Sequence, residues 1–177
     1  MNTAGVLNSI RQITDAYRER LARVQPTKYH QTPADGGWSY SEVYAHIFDL
    51  SILSLEAIER CNSVEAKQRK TPFITRAILF LGAFPPAVKF KVPKQFESRV
   101  KKIEMKDARA LIDAFASKLV VSASFVEKTD KTRKTAHPRL GYLNAEQWLR
   151  FTEIHLKHHL KQLKRIDKQD NFTSLRP

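Results

Sequence analysis

Apolar residues recur every three or four positions through most of this 177-residue chain, which is the spacing of one face of an α-helix. There is no convincing strand-like alternation and no internal repeat. Four long amphipathic helices of this kind predict an all-α four-helix bundle. The stripes that define them lie at residues 7–24, 43–58, 108–126 and 148–166.

Local signals mark where these helices begin and end. Pro26 is predicted to end the first helix, because proline cannot continue one. Ser39 and Glu42 have the spacing of a capping box, in which Ser39 caps the second helix and Glu42 reaches back. Asn144 is a favoured N-cap residue and Gln147 follows three positions later, so the fourth helix is predicted to open there. The polar segment before it, 127–141, is interpreted as a loop.

The connection between the second and third helices is long and contains an apolar stretch at 72–90. Its charge-free run before the breaking prolines Pro85 and Pro86, residues 77–84, is far shorter than the roughly 20 residues that a membrane span needs. We interpret it as a short extra helix in the core, with an interfacial membrane anchor or a dimer contact as alternatives. Pro93 favours irregular structure over 85–98.

Length and cysteine usage indicate the domain count and the compartment. We predict one domain over residues 1–166 and a frayed polar tail over 167–177, because the tail lacks apolar periodicity. The single cysteine, Cys61, excludes an internal disulfide framework and is expected to be a buried small residue. The N-terminal residues lack the pattern of a secretory signal, so we expect a cytoplasmic protein with no membrane contact.

Lys and Arg outnumber Asp and Glu by 31 to 18, which gives a net charge of +13. We interpret the surplus as solvated surface, because no helix-turn-helix, zinc-finger or RNA-recognition signature accompanies it. Recruitment of an anionic substrate is the first alternative, and nucleic-acid binding is a less favoured one. The basic residues cluster at 89–102, 128–139 and 157–168.

Histidines on the inward stripes carry the clearest chemical signal. His155 and His159 are four residues apart, so their side chains stack on one helix face. His46 lies on the inward stripe of the second helix, and bundle metal sites are built from such facing positions. Three neutral imidazoles suit Zn²⁺ or Ni²⁺, whereas hydrogen-bonded core histidines are the alternative. His158 is predicted to flank the site, and His137, in the preceding loop, is a reserve ligand.

Two segments of the chain resemble the paired signatures of the DinB-like superfamily, which includes the YfiT-type metal-dependent hydrolases. Residues 37–49, GWSYSEVYAHIFD, resemble W-[ST]-x-x-E-[VI]-x-x-H-[LI]-x-D. Residues 137–162 resemble H-P-x-x-G-x-L, then W, then H-x-x-H-H-x-x-Q. The resemblance covers both ends of the chain, while residues 66–98 match only loosely.

The resemblance implies an up-down-down-up four-helix bundle that holds nickel or zinc through His46, His155 and His159. It also implies either hydrolysis or transfer of a low-molecular-weight thiol to a small electrophile, and it implies a homodimer. A noncatalytic binding protein with the same bundle is the alternative function. Candidates to orient the metal ligands are Asp49, Gln162 and Glu153, because each is two or three residues from a histidine. Trp38 and Trp148 are interpreted as core packing rather than pocket lining.

Overall fold

A computed structural model describes residues 2–33, 36–85 and 94–173 of the chain. Four long helices form the bundle, and α3 lies at its centre, packed against α6 and α7, while α1 packs against the same two helices. This confirms the predicted all-α four-helix bundle. The elements, in chain order, are α1 (Thr3–Arg23), α2 (Pro26–Tyr29), α3 (Tyr40–Arg60), α4 (Phe73–Leu81), α5 (Lys94–Glu97), α6 (Met105–Lys128), β1 (Thr135–His137), β2 (Gly141–Leu143) and α7 (Ala145–Thr173).

A cluster of buried aromatic rings locks the helices in register. The ring of Tyr17 lies 5.6 Å from that of Tyr44 and 5.1 Å from that of Phe48. The Tyr17 hydroxyl donates a hydrogen bond to the Leu156 carbonyl at 2.8 Å, and the Tyr44 hydroxyl donates to the Tyr17 carbonyl at 2.9 Å. Because buried hydroxyls need partners, these two bonds set the positions of α1 and α3 against α7.

Both predicted N-caps are present and place the starts of α3 and α7. The Ser39 N–H donates to the Glu42 carboxylate at 2.9 Å, while the Ser39 side chain accepts from the Glu42 N–H. The Gln147 N–H donates to Asn144 Oδ1 at 2.9 Å, and the Asn144 N–H donates to Gln147 Oε1 at 3.0 Å. Each pair satisfies two backbone donors that the first turn of a helix leaves free.

The structure differs from the sequence prediction in two of the loops. Pro26 opens α2 as its first residue instead of only ending α1, because a missing N–H is harmless at that position. The predicted loop before α7 contains an antiparallel hairpin, in which Thr135 pairs with Leu143 and His137 with Gly141. Strands of three residues are too short to show alternation, so the pattern search missed them.

The extra helix and the tail also differ from expectation. Only one side of α4 is buried, through Thr75, Ile78 and Leu79, so it is not a core helix. The predicted frayed tail is wrong as far as Thr173, because α7 continues to that residue. The Tyr40 hydroxyl donates a hydrogen bond to Asp167, and Arg20 forms an ion pair with it, so this part of α7 is held against α3 and α1. The predicted irregular segment contains α5, while residues 86–93 and 174–177 lie outside the described residues. No described helix is long and apolar enough to cross a membrane.

Candidate metal centre

Three histidines from two helices converge at one end of the bundle core. His46 comes from α3, and His155 and His159 come from successive turns of α7. One ring nitrogen of each lies within 4.8 Å of those of the other two. The three side chains are 4%, 8% and 6% exposed, so they have left bulk water. The structure thus brings together the three residues that the sequence singled out.

Burial keeps these imidazoles neutral, which is the form that binds metal ions. Desolvation lowers the pKa of His46 from its ordinary value to about 4, because the charged form is disfavoured away from water. The same cause, reinforced by the neighbouring histidines, holds the pKa values of His155 and His159 well below the usual range.

A hydrogen bond from His159 to Gln162 sets the position of the proton on the His159 ring. His159 Nδ1 lies 2.7 Å from Gln162 Oε1, and since that oxygen can only accept, the proton is on Nδ1. Nε2 therefore keeps its lone pair and faces His155 Nε2 at 3.1 Å. In this arrangement His155 Nε2–H is the donor to His159. The prediction that Gln162 orients a ligand is therefore supported by a direct hydrogen bond to His159.

The donor set fits a divalent transition metal. Metal–nitrogen bonds of about 2.0–2.1 Å place two ligand nitrogens roughly 3.0–3.4 Å apart, and the two α7 histidines already have that separation. Nδ1 of His46 and Nδ1 of His155 are buried without a hydrogen-bond partner among the described residues. Buried polar atoms without partners are uncommon, so hydrogen bonds within the core do not account for these two rings. The free Nδ1 of His155 can also take the proton that its Nε2 would give up on coordination.

The three histidines line a small, mostly apolar pocket of about 140 Å³. The ring of Trp38 stacks parallel to His159 at 6.0 Å, and Phe151 stacks on His155 at 5.4 Å. Trp38 therefore lines the pocket as well as packing against the core, as interpreted. Trp148 is core, as interpreted, and donates from Nε1 to Thr135 Oγ1 at 2.8 Å. The pocket lining comprises Trp38, His46, Leu50, Phe84, Phe96, His137, Pro138, Arg139, Leu140, Phe151, His155, His158 and His159.

His137 lines the same pocket but does not join the cluster of three. Its Nδ1 accepts hydrogen bonds from the backbone N–H groups of Arg139 and Leu140, at 3.1 and 3.0 Å. The proton of the neutral ring is therefore on Nε2, which makes that atom a donor rather than a ligand. Burial lowers the pKa of His137 to about 4, so the ring stays neutral at physiological pH. The reserve-ligand hypothesis is not supported by this geometry.

Two of the residues expected to orient a ligand form ion pairs with other side chains. The Asp49 carboxylate binds Arg99 Nη1 at 2.8 and 2.9 Å, and no described residue bonds to His46 Nδ1. Glu153 is buried and pairs with Arg150 and with Lys157 Nζ, the latter at 2.6 Å. Neither carboxylate has a hydrogen bond to a histidine of the cluster among the described residues, so their role in orienting a ligand stays a prediction. Helical spacing brings residues near each other without showing which partner from elsewhere competes for them.

The other pocket residues carry weaker sequence signals. His158 is exposed at the edge of the pocket, as predicted, with its ring 5.4 Å from Phe84. Phe84 and Phe96 come from the long connection, where no periodicity marks them as inward-facing. Arg139 was assigned only to a basic cluster, yet it lies on the pocket wall. The hairpin places Pro138, Arg139 and Leu140 over the site.

Comparisons with known proteins agree with this architecture. The family model for the DinB superfamily matches residues 9–163. YfiT from Bacillus subtilis, described as a probable metal-dependent hydrolase, aligns over 96% of this chain and 87% of its own, with 12% identity and a TM-score of 0.65. The four-helix bundle protein TT2238 aligns over 93% of this chain and 99% of its own, with 18% identity and a TM-score of 0.62.

A third solved structure is that of mycothiol-dependent maleylpyruvate isomerase. It aligns over 90% of this chain but only 60% of its own length, with 14% identity and a TM-score of 0.62. No curated protein matched the chain by sequence. At these identities the solved structures show a shared fold, and the family model covers most of the residues. The chain belongs to the DinB superfamily.

Proposed function

We propose that this protein is a metal-dependent enzyme that acts on a small electrophilic substrate, either as a hydrolase or as a low-molecular-weight thiol transferase. The observation that carries the proposal is the set of three buried, neutral imidazoles that line one pocket. The relatives described as a probable metal-dependent hydrolase and as a mycothiol-dependent isomerase support both branches. The bound ion is proposed to be Zn²⁺ or Ni²⁺, as three nitrogen ligands favour.

His46, His155 and His159 would hold the metal, and Gln162 would fix the position of the proton on one of these rings. When bound, such an ion supplies a nucleophile by letting a water or thiol ionise near neutral pH. Gln162 keeps the proton of His159 on Nδ1 and so leaves Nε2 free to coordinate. The proton that His155 carries on Nε2 must leave that atom before the ring coordinates, so metal binding is coupled to a proton shift.

The aromatic walls and His137 act on the substrate side. Trp38 and Phe151 cover the faces of the two α7 imidazoles and limit access of bulk water. His137 Nε2–H is a neutral donor in the same pocket, suited to hydrogen-bond an oxygen on which negative charge develops.

In the thiol branch, the thiol must come from outside the chain. Cys61 is the only cysteine, and its sulfur lies against Thr135 Oγ1 at 3.5 Å and the Leu143 carbonyl at 3.6 Å, away from the pocket lining. Burial raises the pKa of the Cys61 thiol, which further disfavours it as a nucleophile. Arg139 on the pocket wall is suited to an anionic group on the thiol or the electrophile.

Elemental analysis of protein purified without an affinity tag tests the metal site. We expect close to one Ni or Zn per chain, and a loss of bound metal in His46→Ala and His159→Ala. The exposed neighbour gives a matched control, since His158→Ala should keep its metal. If both ligand variants retain the metal of the unaltered protein, the assignment is wrong.

Activity with two panels separates the two branches. Metal-loaded protein is assayed with aryl esters for hydrolysis, and with a set of small thiols and an aryl halide for thiol transfer. We expect turnover in one panel that disappears on metal removal and in His46→Ala. Bound metal with no turnover in either panel would favour the noncatalytic alternative.

A further inference from the structure

Helix α4 carries an apolar face that nothing in the described structure covers. Phe73, Ile74, Phe80 and Leu81 are between 72% and 87% exposed. At about 100° per residue all four lie on one side of the helix, opposite the buried Thr75 and Leu79. Contiguous large apolar side chains on a surface usually mark a site of interaction.

The exposed face belongs to an ordered helix. Thr75 Oγ1 donates to the Leu140 carbonyl at 2.9 Å, and Arg150 Nε donates to the Leu79 carbonyl at 3.1 Å. At the C-terminal end, Gly82 has φ of 70°, and a Cβ there would clash with the Arg150 guanidinium. The helix is therefore pinned along its inner side while its outer side stays free.

The surroundings of this face are strongly basic. Residues 66–96 contain seven Lys and Arg and no acidic residue. Of these, Lys67, Arg69, Lys70 and Arg76 are exposed in the described structure, and the first turn of α4 has no acidic residue. Lys134 adds a further charge, because its Nζ donates to Thr71 Oγ1 at 3.1 Å just before the helix begins.

Charge complementarity decides which partner fits an apolar face bordered by cations. A second copy of this chain would bring two such borders together, each on a protein of net charge +13. An anionic lipid surface instead offers phosphates to the cations and an apolar layer to the side chains. The apolar residues project from a single helix rather than line a groove, which suits insertion between headgroups.

We propose that α4 docks this protein on anionic membrane surfaces, with Phe73, Ile74, Phe80 and Leu81 inserted and Arg69, Lys70 and Arg76 at the headgroups. This replaces the expectation of no membrane contact. Leu81 is three residues before the pocket-lining Phe84, which is at most about 10 Å of chain. Docking in this orientation brings the pocket close to the bilayer. The docking proposal does not depend on the proposed catalytic activity.

Co-sedimentation of the full chain with vesicles tests the proposal. The probes are phosphatidylcholine vesicles with and without roughly 30% phosphatidylglycerol. We expect binding to the anionic vesicles alone, weakening as salt rises from about 0.05 M to about 0.5 M. The double variant Phe73→Ser with Phe80→Ser should bind at least about tenfold more weakly, because both the insertion and the charge terms are needed.

Val120 and Val121 provide the matched control, because they are 65% and 55% exposed on α6. Val120→Ser with Val121→Ser should leave vesicle binding unchanged, and circular dichroism checks that each variant is folded. Equal binding by the Phe73 and Phe80 double variant would overturn the proposal in favour of charge adsorption alone. Absence of vesicle binding at low salt would also overturn it. A dimer in sedimentation velocity that the Phe double variant dissociates would assign the face to a second copy.

Discussion

The histidine pocket and the outer face of α4 depart from the usual distribution of residues in opposite directions. The pocket buries three titratable side chains, whereas α4 exposes four large apolar ones. Burying imidazoles costs desolvation, and exposing apolar area forgoes the stabilisation that burial gives. Because each departure opposes stability, each is a place where function rather than folding accounts for the residues.

The two regions differ in what completes them. In the pocket, the three histidines, the Gln162 oxygen that accepts from His159 and the aromatic walls all come from this one chain. On α4, the inner side is satisfied by Leu140 and Arg150, but the outer side has no partner among the described residues. A site complete in one chain needs only a small ion, whereas the open face requires another surface.

The largest expected effect is on metal affinity. His155→Ala removes one of three donors, and we expect Zn²⁺ affinity to fall by roughly a thousandfold, a third or so of a binding free energy of about 10–16 kcal/mol. Competition titration with a chelator measures it. His158 is exposed and follows His155 by three residues on α7, so His158→Ala should change the affinity by less than about threefold. A similar loss in both variants would mean that the pocket does not select the inward histidines.

The next effect is on the pH dependence of the metal-free protein. The pKa of His46 is lowered to about 4 in the folded state, so above about pH 6.5 the ring is neutral in both states and contributes nothing. As pH falls from 6.5 towards 4, only the unfolded chain takes up the proton, and stability is lost. At about 1.4 kcal/mol per pKa unit, His46 alone accounts for roughly 3 kcal/mol by pH 4.

Urea unfolding of chelator-treated protein between pH 7 and about pH 5 measures that slope. His46→Gln removes one titrating group and should reduce this slope without abolishing it, because burial also lowers the pKa values of His137, His155 and His159. The carboxylates titrate mainly below this interval. An unchanged slope would show that His46 is not held neutral by burial.

A smaller effect on metal affinity should distinguish Gln162, which bonds to a histidine of the cluster, from Asp49, which is only near one in sequence. Gln162→Leu removes the acceptor for His159 Nδ1–H, and we expect metal affinity to fall about 10–100-fold. Asp49→Asn disrupts only the pair with Arg99, which is partly exposed, so metal affinity should stay within about threefold. Isothermal titration with Zn²⁺ compares the two variants. The reverse order would return Asp49 to the role expected from its spacing.

The smallest effect is on α4 itself. Phe80→Ser lies on the outer face, and we expect the free energy of unfolding to change by no more than about 0.5 kcal/mol. Ile78→Ala, on the inner face of the same helix, should cost about 2–4 kcal/mol because it leaves a cavity. Chemical unfolding of the two variants tests the contrast. A large cost for Phe80→Ser would mean that its side chain packs within the chain.

The bundle and the three converging histidines were predictable because both follow from short-range patterns. Helical periodicity placed His46, His155 and His159 on inward faces, and facing helices share a core. The capping boxes at Ser39 and Asn144 were predictable for the same reason, since each lies within four consecutive residues. The hairpin was not, because three-residue strands carry too little pattern to separate them from a loop.

The contacts of individual polar side chains depended on residues far along the chain. Asp49 pairs with Arg99, fifty positions later, and His137 is turned into a donor by the backbone of the hairpin that carries it. The outer face of α4 is equally apolar in sequence to a core helix, and only its packing shows which side is left open. Sequence alone determined the helices, their inward stripes and the three converging histidines, because these follow from local spacing. Tertiary structure decided the hydrogen-bond partners, the proton positions and the exposed face, because those result from competition among groups that only folding brings together.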